Sequence, residues 1–397
     1  MAGAFSLQKL SAAVEDGSSP YQRPKMKITD VKYANIQGFH IRIYTDQGLY
    51  GDGEAVDAVS GGPQILAGFR NALIGQSPLN IQALWERIRT SGIFGGAQGG
   101  QYVATLTAID LALWDLAGKA LNLPIYQLMG GKVRDKIRVY CDSGTDNRND
   151  PEAKKYIQQI VENGFTMAKI DIDEAGDPAR FDRVNWTANN TEIDHMIDKV
   201  AFMRESLPKS IDLAVDMHGR YDLPTAKRVA KELEPFRLTW LEEPVPPENI
   251  DAMRDIRQST HTPICAGENL YMRWGFREIF EKGALDIVMP DIQKCGGLME
   301  GKKIADLAQT YYVPIAPHSQ ASPMGAMATA HMLATVPNFM VVEWHWSHPA
   351  QRWDRWKHFV KEGDIIEKGY ITIPDRPGIG VTMDEEYLKK NGAQWFT

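Results

Sequence analysis

The chain has 397 residues, of which 43% are hydrophobic and 24% charged. That excludes a disordered, collagen-like or coiled-coil protein and leaves room for two or three domains, or for one barrel of ~250 residues with an appended unit. Forty-four Lys and Arg stand against 51 Asp and Glu, a formal charge of −7, so the basic footprint of a nucleic-acid binder is missing, although a few local cations can still hold a small anion.

Residues 1–25 carry Glu15 and Asp16, lack the apolar core of a signal peptide, and read as an arm before the first strand. Short alternating runs at 26–33, 39–45 and from Leu49 onward, with a turn at Asp46-Gln47-Gly48, predict an antiparallel meander. The link between its first two strands, 34–38, is very short. Apolar residues then recur at helical spacing over 65–73, 78–88 and 102–121, with Ile109, Leu113, Leu116 and Ala117 on one face. An α+β domain over 26–136 is expected.

Past Lys136 eight apolar runs alternate with amphipathic helices: 137–141, 168–172, 211–216, 239–242, 264–266, 287–289, 313–316 and 340–342. This is an α/β pattern of parallel strands with crossover helices, and eight units is the count of a closed barrel, placed over 137–362. A tail, 363–397, is expected to pack on the first domain. The rival, a doubly wound open sheet, usually carries a Gly-rich phosphate loop. The nearest match, Gly296 to Gly301 followed by Lys302, has Lys303 where Ser or Thr belongs.

Cys141, Cys265 and Cys295 form no CxxC pair, which argues for reduced thiols in the cytoplasm rather than a zinc knuckle or disulfide framework. No apolar run reaches 18 residues, so no membrane partner is expected. The sequon-like Asn185-Trp186-Thr187 reads as chance.

The residue that ends each run carries the chemistry. Asp216, Glu242 and Glu268 follow one another at intervals of 26 residues, about one βα unit. In a barrel they converge at the mouth formed by the C-terminal strand ends. A single acidic residue there is ordinarily a helix N-cap or a solvated loop residue, but three in register are not. Unpartnered, they would repel and raise one another's pKa. A hard divalent cation resolves this, and all-oxygen donors favour Mg²⁺ over zinc. Glu243, next to Glu242, should face the other way.

Asp291, His318 and Glu343 continue the series at similar intervals, and adjacent strand ends can set Asp291 against His318 to orient the imidazole and raise its basicity. Lys169 and Asp171 lie two apart on one strand face, as do Asp216 and His218. Lys169 reads as a substrate contact or as an ion-pair partner, and His218 as catalytic or as a structural hydrogen bond. Asp171, Arg220 and His345 are candidate substrate contacts, although Trp344-His345-Trp346 fits packing equally well. His40, His195, His261, His331 and His358 lie off the series and read as structural or surface residues.

With Ala108-Ile109-Asp110-Leu111-Ala112-Leu113-Trp114-Asp115, Leu128-Met129-Gly130-Gly131, Leu241-Glu242-Glu243-Pro244, Ala266-Gly267-Glu268-Asn269, and Pro290-Asp291 followed by Gly296-Gly297, the chain from Met26 onward resembles the enolase superfamily, specifically its mandelate racemase-like subgroup. That resemblance implies an α+β capping domain formed by the N-terminal region and C-terminal tail, and a (β/α)₇β TIM-like barrel. It also implies one Mg²⁺ per subunit on Asp216, Glu242 and Glu268, a general base from the Asp291–His318 dyad, and Glu343 donating or sharing a proton at the substrate carboxylate. Asp216-Met217-His218-Gly219-Arg220 is most similar to galactonate and gluconate dehydratases. Racemases of the subgroup typically offer Lys-x-Lys at the second strand, whereas this chain has Lys169-Ile170-Asp171.

The expected activity is therefore that of a Mg²⁺-dependent hydro-lyase on a small sugar acid. His318 would take the C2 proton, His218 would protonate the departing 3-hydroxyl, and a 2-keto-3-deoxy acid would result. Epimerisation, racemisation or cycloisomerisation of a related acid is the alternative within the fold, and a non-catalytic, metal-dependent sugar-acid binding protein is the alternative outside it. Galactonate, gluconate, other aldonates and aldarates stay open, because their hydroxyls would be read by loops at 56–62 and 92–100. Relatives are often dimers to octamers, so a homo-oligomer is expected.

Overall fold

The alternating runs at the start of the chain form a three-stranded antiparallel sheet in the order β1 (Ile28–Asn35), β2 (Phe39–Thr45), β3 (Tyr50–Ala55). Gly48, at φ 75°, makes the left-handed corner of the β2–β3 hairpin. The computed structural model describes residues 24–36, 38–144, 146–173, 184, 186–345 and 356–397. Nearly all of the expected 1–25 arm lies outside these residues, as do Asn185 of the sequon and Trp346.

Three helices follow: α1 (Gly62–Leu73), α2 (Ile81–Ser91) and α3 (Gly100–Leu121). Every residue of α3 from Val103 to Gly118 is buried, the mark of an interior helix rather than an amphipathic surface one. It packs directly on β3, where Gly51 and Gly53 leave room for its backbone; a Cβ at either would collide with the carbonyl oxygens of Ala112 and Ala108. A short helix, α4 (Ile125–Leu128), leads out of this unit.

The second part is α/β with a mostly parallel sheet. The strands β4 (Lys136–Asp142), β5 (Met167–Asp171), β6 (Asp212–Asp216), β7 (Leu241–Glu242), β8 (Ile264–Ala266) and β9 (Ile287–Val288) pair in chain order, and β10 (Val342–His345) pairs in parallel with β4. The 313–316 run, expected as a strand, contributes only bridges, Ile315 to Val288 and to Phe339. Pro314 within it and Pro317 just after it remove the donors a longer ladder needs.

Between the strands lie α5 (Ala153–Glu162), α6 (Asn190–Ser206), α7 (Leu223–Glu232), α8 (Ile250–Arg257), α9 (Met272–Lys282), α10 (Leu298–Thr310) and α11 (Pro323–Leu333). Their starts use ordinary capping chemistry: Asn189 and Glu192 form a reciprocal capping box on α6, and Asp222 accepts from Thr225 N on α7. The hairpin β11 (Ile366–Glu367) with β12 (Tyr370–Thr372) departs from the expected packing of the tail. It extends the N-terminal half of β4, and only the later tail returns to the first unit, through Tyr33–Phe396 pairing and an Arg42–Glu385 ion pair of 2.6 Å. A last helix, α12 (Glu385–Lys390), carries Glu385. Among the described residues no helix is long and apolar enough to cross a membrane.

Buried carboxylates join the two parts. Asp110 of α3 accepts from Leu298 N at the start of α10 (2.8 Å), and Asp115 accepts from Asp52 N and Ile379 N (2.9 Å each). Glu54 of β3 accepts from Ser322 N (2.7 Å), the Ser322 hydroxyl and Gly325 N (3.1 Å) at the start of α11. Each places negative charge at a helix N-terminus or satisfies an otherwise unpaired N–H.

His331 of α11 is fully buried. Its Nε2 is 2.9 Å from Ile379 O and its Nδ1 is 3.4 Å from Tyr126 N, so the neutral ring donates at one nitrogen and accepts at the other. Burial lowers its pKa to about 4. The neutral ring therefore supports the fold above the unfolded value of ~6.5, and this contribution is lost as pH falls towards about 4. Denaturant unfolding at each pH should show wild type losing on the order of 3 kcal/mol relative to His331→Gln between pH 7 and pH 4.

Candidate active site

Strand periodicity builds the site. A second core cluster, separate from the main one, contains Tyr140, Met167, Ala214, Trp240, Cys265, Ile287, Met289, Ala316 and Val341. Two or four residues beyond members of this set, on the same face, come Asp142, Lys169, Asp171, Asp216, Glu242, Asp291, His318, Glu343 and His345. One face is thus apolar at depth and polar at the strand ends. Glu268 breaks the alternation, because Gly267 at φ 138° turns the chain after β8.

The Lys169 ammonium is buried among three carboxylates: 3.2 Å from Asp216 Oδ2, 3.0 Å from Glu242 Oε1 and 2.8 Å from Glu343 Oε1. Burial works against its charge, but Glu242 and Glu343 win and hold its pKa well above the usual lysine range. Asp216 is also buried, yet Lys169 and His218 lower its pKa to about 2. For Glu242, burial and then Asp216 push the carboxyl well up.

Three imidazoles face this cluster, each tied at Nδ1 to a carboxylate. His318 lies 2.7 Å from Asp291 Oδ2, with its Nε2 3.0 Å from Glu268 Oε2 and 3.5 Å from Glu343 Oε2. Burial disfavours the imidazolium there, but Glu268 and Glu343 raise the pKa well above the ordinary value. His218, at φ 48°, lies 2.8 Å from Asp173 Oδ1, and its Nε2 is 3.7 Å from Asp216 Oδ2 and 4.0 Å from Asp171 Oδ1. Its pKa is raised to about 10, the Asp173 hydrogen bond and the Asp216 charge outweighing burial. His345 lies 2.9 Å from Asp142 Oδ2. Asp171 rises to about 7 through burial and the nearby Asp142 charge.

Asp216, Glu242 and Glu268 each bring one oxygen within 4.8 Å of the others. Two mixed groups, His318–Glu343–His345 and Asp171–Asp216–His218, reach the same spacing, but their imidazole donors suit softer transition metals. The three-carboxylate set is the one whose chemistry fits a hard divalent cation, since its buried negative charge exceeds what Lys169 balances.

A family model described as the mandelate racemase / muconate lactonizing enzyme N-terminal domain matches residues 17–130, and one described as enolase C-terminal domain-like matches residues 152–387. The chain belongs to the mandelate racemase branch of the enolase superfamily. It is 38% identical over 400 residues to the D-xylonate dehydratase of Haloferax volcanii, covering 99% of this chain and 96% of the relative. It is 33% identical over 385 residues to the D-galactonate dehydratase of Pectobacterium atrosepticum, covering 93% and 96%. The crystal structure of a mandelate racemase/muconate lactonizing enzyme-like protein from Rubrobacter xylanophilus superposes with a TM-score of 0.86 at 40% identity, over 92% of this chain and 97% of that one.

In this enolase-superfamily chain Lys169, Asp171, Asp216, His218, Glu242, Glu268, Asp291, His318, Glu343 and His345 come together as one constellation. Arg220 sits at its edge, on the same Asp173 carboxylate that holds His218. Its guanidinium pairs with Asp173 at 3.0 Å while 43% of the side chain stays exposed. Glu243 faces the other way, accepting from Gly267 N (3.3 Å) and Asn269 Nδ2 (2.6 Å). Sequence reasoning missed Asp173 and Asp142. The Lys169-Ile170-Asp171-Ile172-Asp173 alternation was a signal for the first; the second required knowing which strand lies beside β10.

Adding a divalent cation should raise the melting temperature with the logarithm of its concentration above Kd, a stabilisation of about 2.7 kcal/mol at a hundredfold excess over Kd. Glu242→Gln should abolish that shift in a thermal melt.

Proposed function

We propose that this chain is a Mg²⁺-dependent sugar acid dehydratase acting on an aldonate, with D-xylonate, D-galactonate and D-gluconate as the first candidates. The observation that carries this reading is the pair of carboxylate-held imidazoles serving different parts of one carboxylate cluster. His318 faces Glu268 and Glu343, while His218 faces Asp171 and Asp216. An elimination needs two such groups, one to take a proton and one to give it. Dehydratases among full-length relatives support the same choice.

The parallel ladder is read as a (β/α)₇β barrel over 137–362, capped by 26–136 and the tail from Asp375 onward. Bridges at Ile315 and the β10–β4 pairing support it, since they carry the pairing from β9 back to β4.

Removing a proton α to a carboxylate creates a dianion, and electrostatic stabilisation of that charge is the main demand on the site. A divalent cation on Asp216, Glu242 and Glu268 supplies Lewis-acid stabilisation when bound. The Lys169 ammonium adds a fixed positive charge beside the same oxygens. Asp291 accepts from His318 Nδ1–H, which leaves Nε2 as the base for the C2 proton. Glu343, held by Ser319 N at 2.9 Å, meets the substrate carboxylate. His218 then gives a proton to the departing 3-hydroxyl, water leaves, and the enol product ketonises to a 2-keto-3-deoxy acid.

With Mg²⁺ and the three aldonates, the protein should form 2-keto-3-deoxy acid, and no keto acid across that panel removes the reading. His318→Asn should lower kcat by about 10²–10⁴-fold without changing cation affinity. His218→Asn should slow elimination by a similar factor yet still exchange the C2 proton with D₂O, followed by NMR.

A further inference from the structure

His345 stands two residues beyond Glu343 on β10 and so shares its face. The β10–β4 register places it directly opposite Asp142, and Asp142 is itself the register neighbour of Lys169 on β5. The resulting contact, His345 Nδ1 to Asp142 Oδ2 at 2.9 Å, fixes the ring. The other nitrogen, Nε2, is buried and has no hydrogen-bond partner among the described residues. Its nearest charged atom, Glu343 Oε1, is 3.6 Å away, beyond a good hydrogen bond, and that oxygen already lies 2.8 Å from Lys169. The His318 and His345 rings sit edge to face with centroids 6.0 Å apart, on either side of Glu343.

A buried polar atom left unpaired costs free energy, and native interiors rarely keep one without a use. A purely structural imidazole for Glu343 would sit closer to it. The carboxylate also has other partners in Lys169 and Ser319 N. Burial works against a charged His345 ring, while the Asp142 and Glu343 carboxylates on either side favour it.

We propose that His345 is a further substrate-contacting residue, donating Nε2–H to an oxygen at the carboxylate end of the bound sugar acid, with Asp142 as its positioning residue. The proposal rests on the dehydratase reading for the identity of the ligand. Its neighbours Lys169 and Glu343 are the groups assigned to that end of the substrate.

The Mg²⁺-loaded protein is assayed for sugar acid binding by calorimetry and for turnover, with His345→Gln, Asp142→Asn and the double variant alongside. His345→Gln should bind the aldonate about tenfold more weakly and lose about 10²–10³-fold in kcat, the range for removing one donor to a developing oxyanion. Cation affinity should not change. Asp142→Asn should lose less, and the double variant should be no worse than His345→Gln alone, because Asp142 acts through the imidazole. Wild-type binding and kcat in His345→Gln overturn the proposal. So do multiplicative losses in the double variant, which assign Asp142 an independent role. Binding weakened by His345→Gln in a wild type that turns nothing over supports the contact and removes the dehydratase reading. Absence of both binding and turnover in the wild type overturns both.

Discussion

The ammonium of Lys169 is the charge around which the site is arranged. It lies within 3.2 Å of Asp216, Glu242 and Glu343, and all four side chains are at most 2% exposed. Any one of these ions alone in that place would cost several kcal/mol, comparable to the whole stability margin of a domain. They are tolerable only together, in fixed positions, and even so one ammonium does not balance them. The residual negative charge is what a divalent cation at Asp216, Glu242 and Glu268 would offset. Rigid placement comes from the layer beneath, where Trp240, Tyr140 and Met167 fill the interior and the Trp240 indole donates to Glu242 Oε2 at 3.0 Å.

That arrangement explains what could be read in the chain beforehand. Asp216, Glu242, Glu268, Asp291, His318 and Glu343 recur at one βα spacing because each follows a strand, and the strands are marked by buried runs. The helices over 62–73, 81–91 and 100–121 were legible for the same reason, since their apolar spacing is local. Lateral neighbours were not legible. Asp142 meets His345 across some two hundred residues, and Glu54 meets Ser322 across 268; no local period records either. The 313–316 run misled because its apolar content is that of a strand while Pro314 within it and Pro317 after it remove ladder donors.

The buried carboxylates between the two parts of the chain have a functional position as well as a structural one. Asp110 and Thr107 of α3 hold Leu298 N and Gly296 N, a few residues beyond Asp291. Gly297, at φ 100°, approaches Asp110 so closely that a Cβ there would collide with its carboxylate. Glu54 holds the start of α11, four residues beyond His318. The N-terminal unit thus grips the loops that follow both members of the His318–Asp291 pair. Loosening that grip would let the proposed base His318 move, which matters where reacting atoms must be aligned.

All three imidazoles of the site follow one construction. The carboxylate that takes Nδ1 comes from a laterally adjacent chain segment: Asp173 after β5 for His218 after β6, Asp291 after β9 for His318 after the Ile315 bridge, and Asp142 of β4 for His345 of β10. Neighbouring strands lie about 4.8 Å apart, the distance at which an imidazole and a carboxylate from facing positions can meet. Sheet register therefore holds each ring by its Nδ1, and each Nε2 is left towards the site. What then differs between the three is only what faces that nitrogen. Glu268 and Glu343 face His318, Asp216 and Asp171 face His218, and nothing within hydrogen-bonding reach among the described residues faces His345. A single structural rule, repeated around the sheet, yields three chemically distinct groups, and the division of labour between them follows from the carboxylates each one meets.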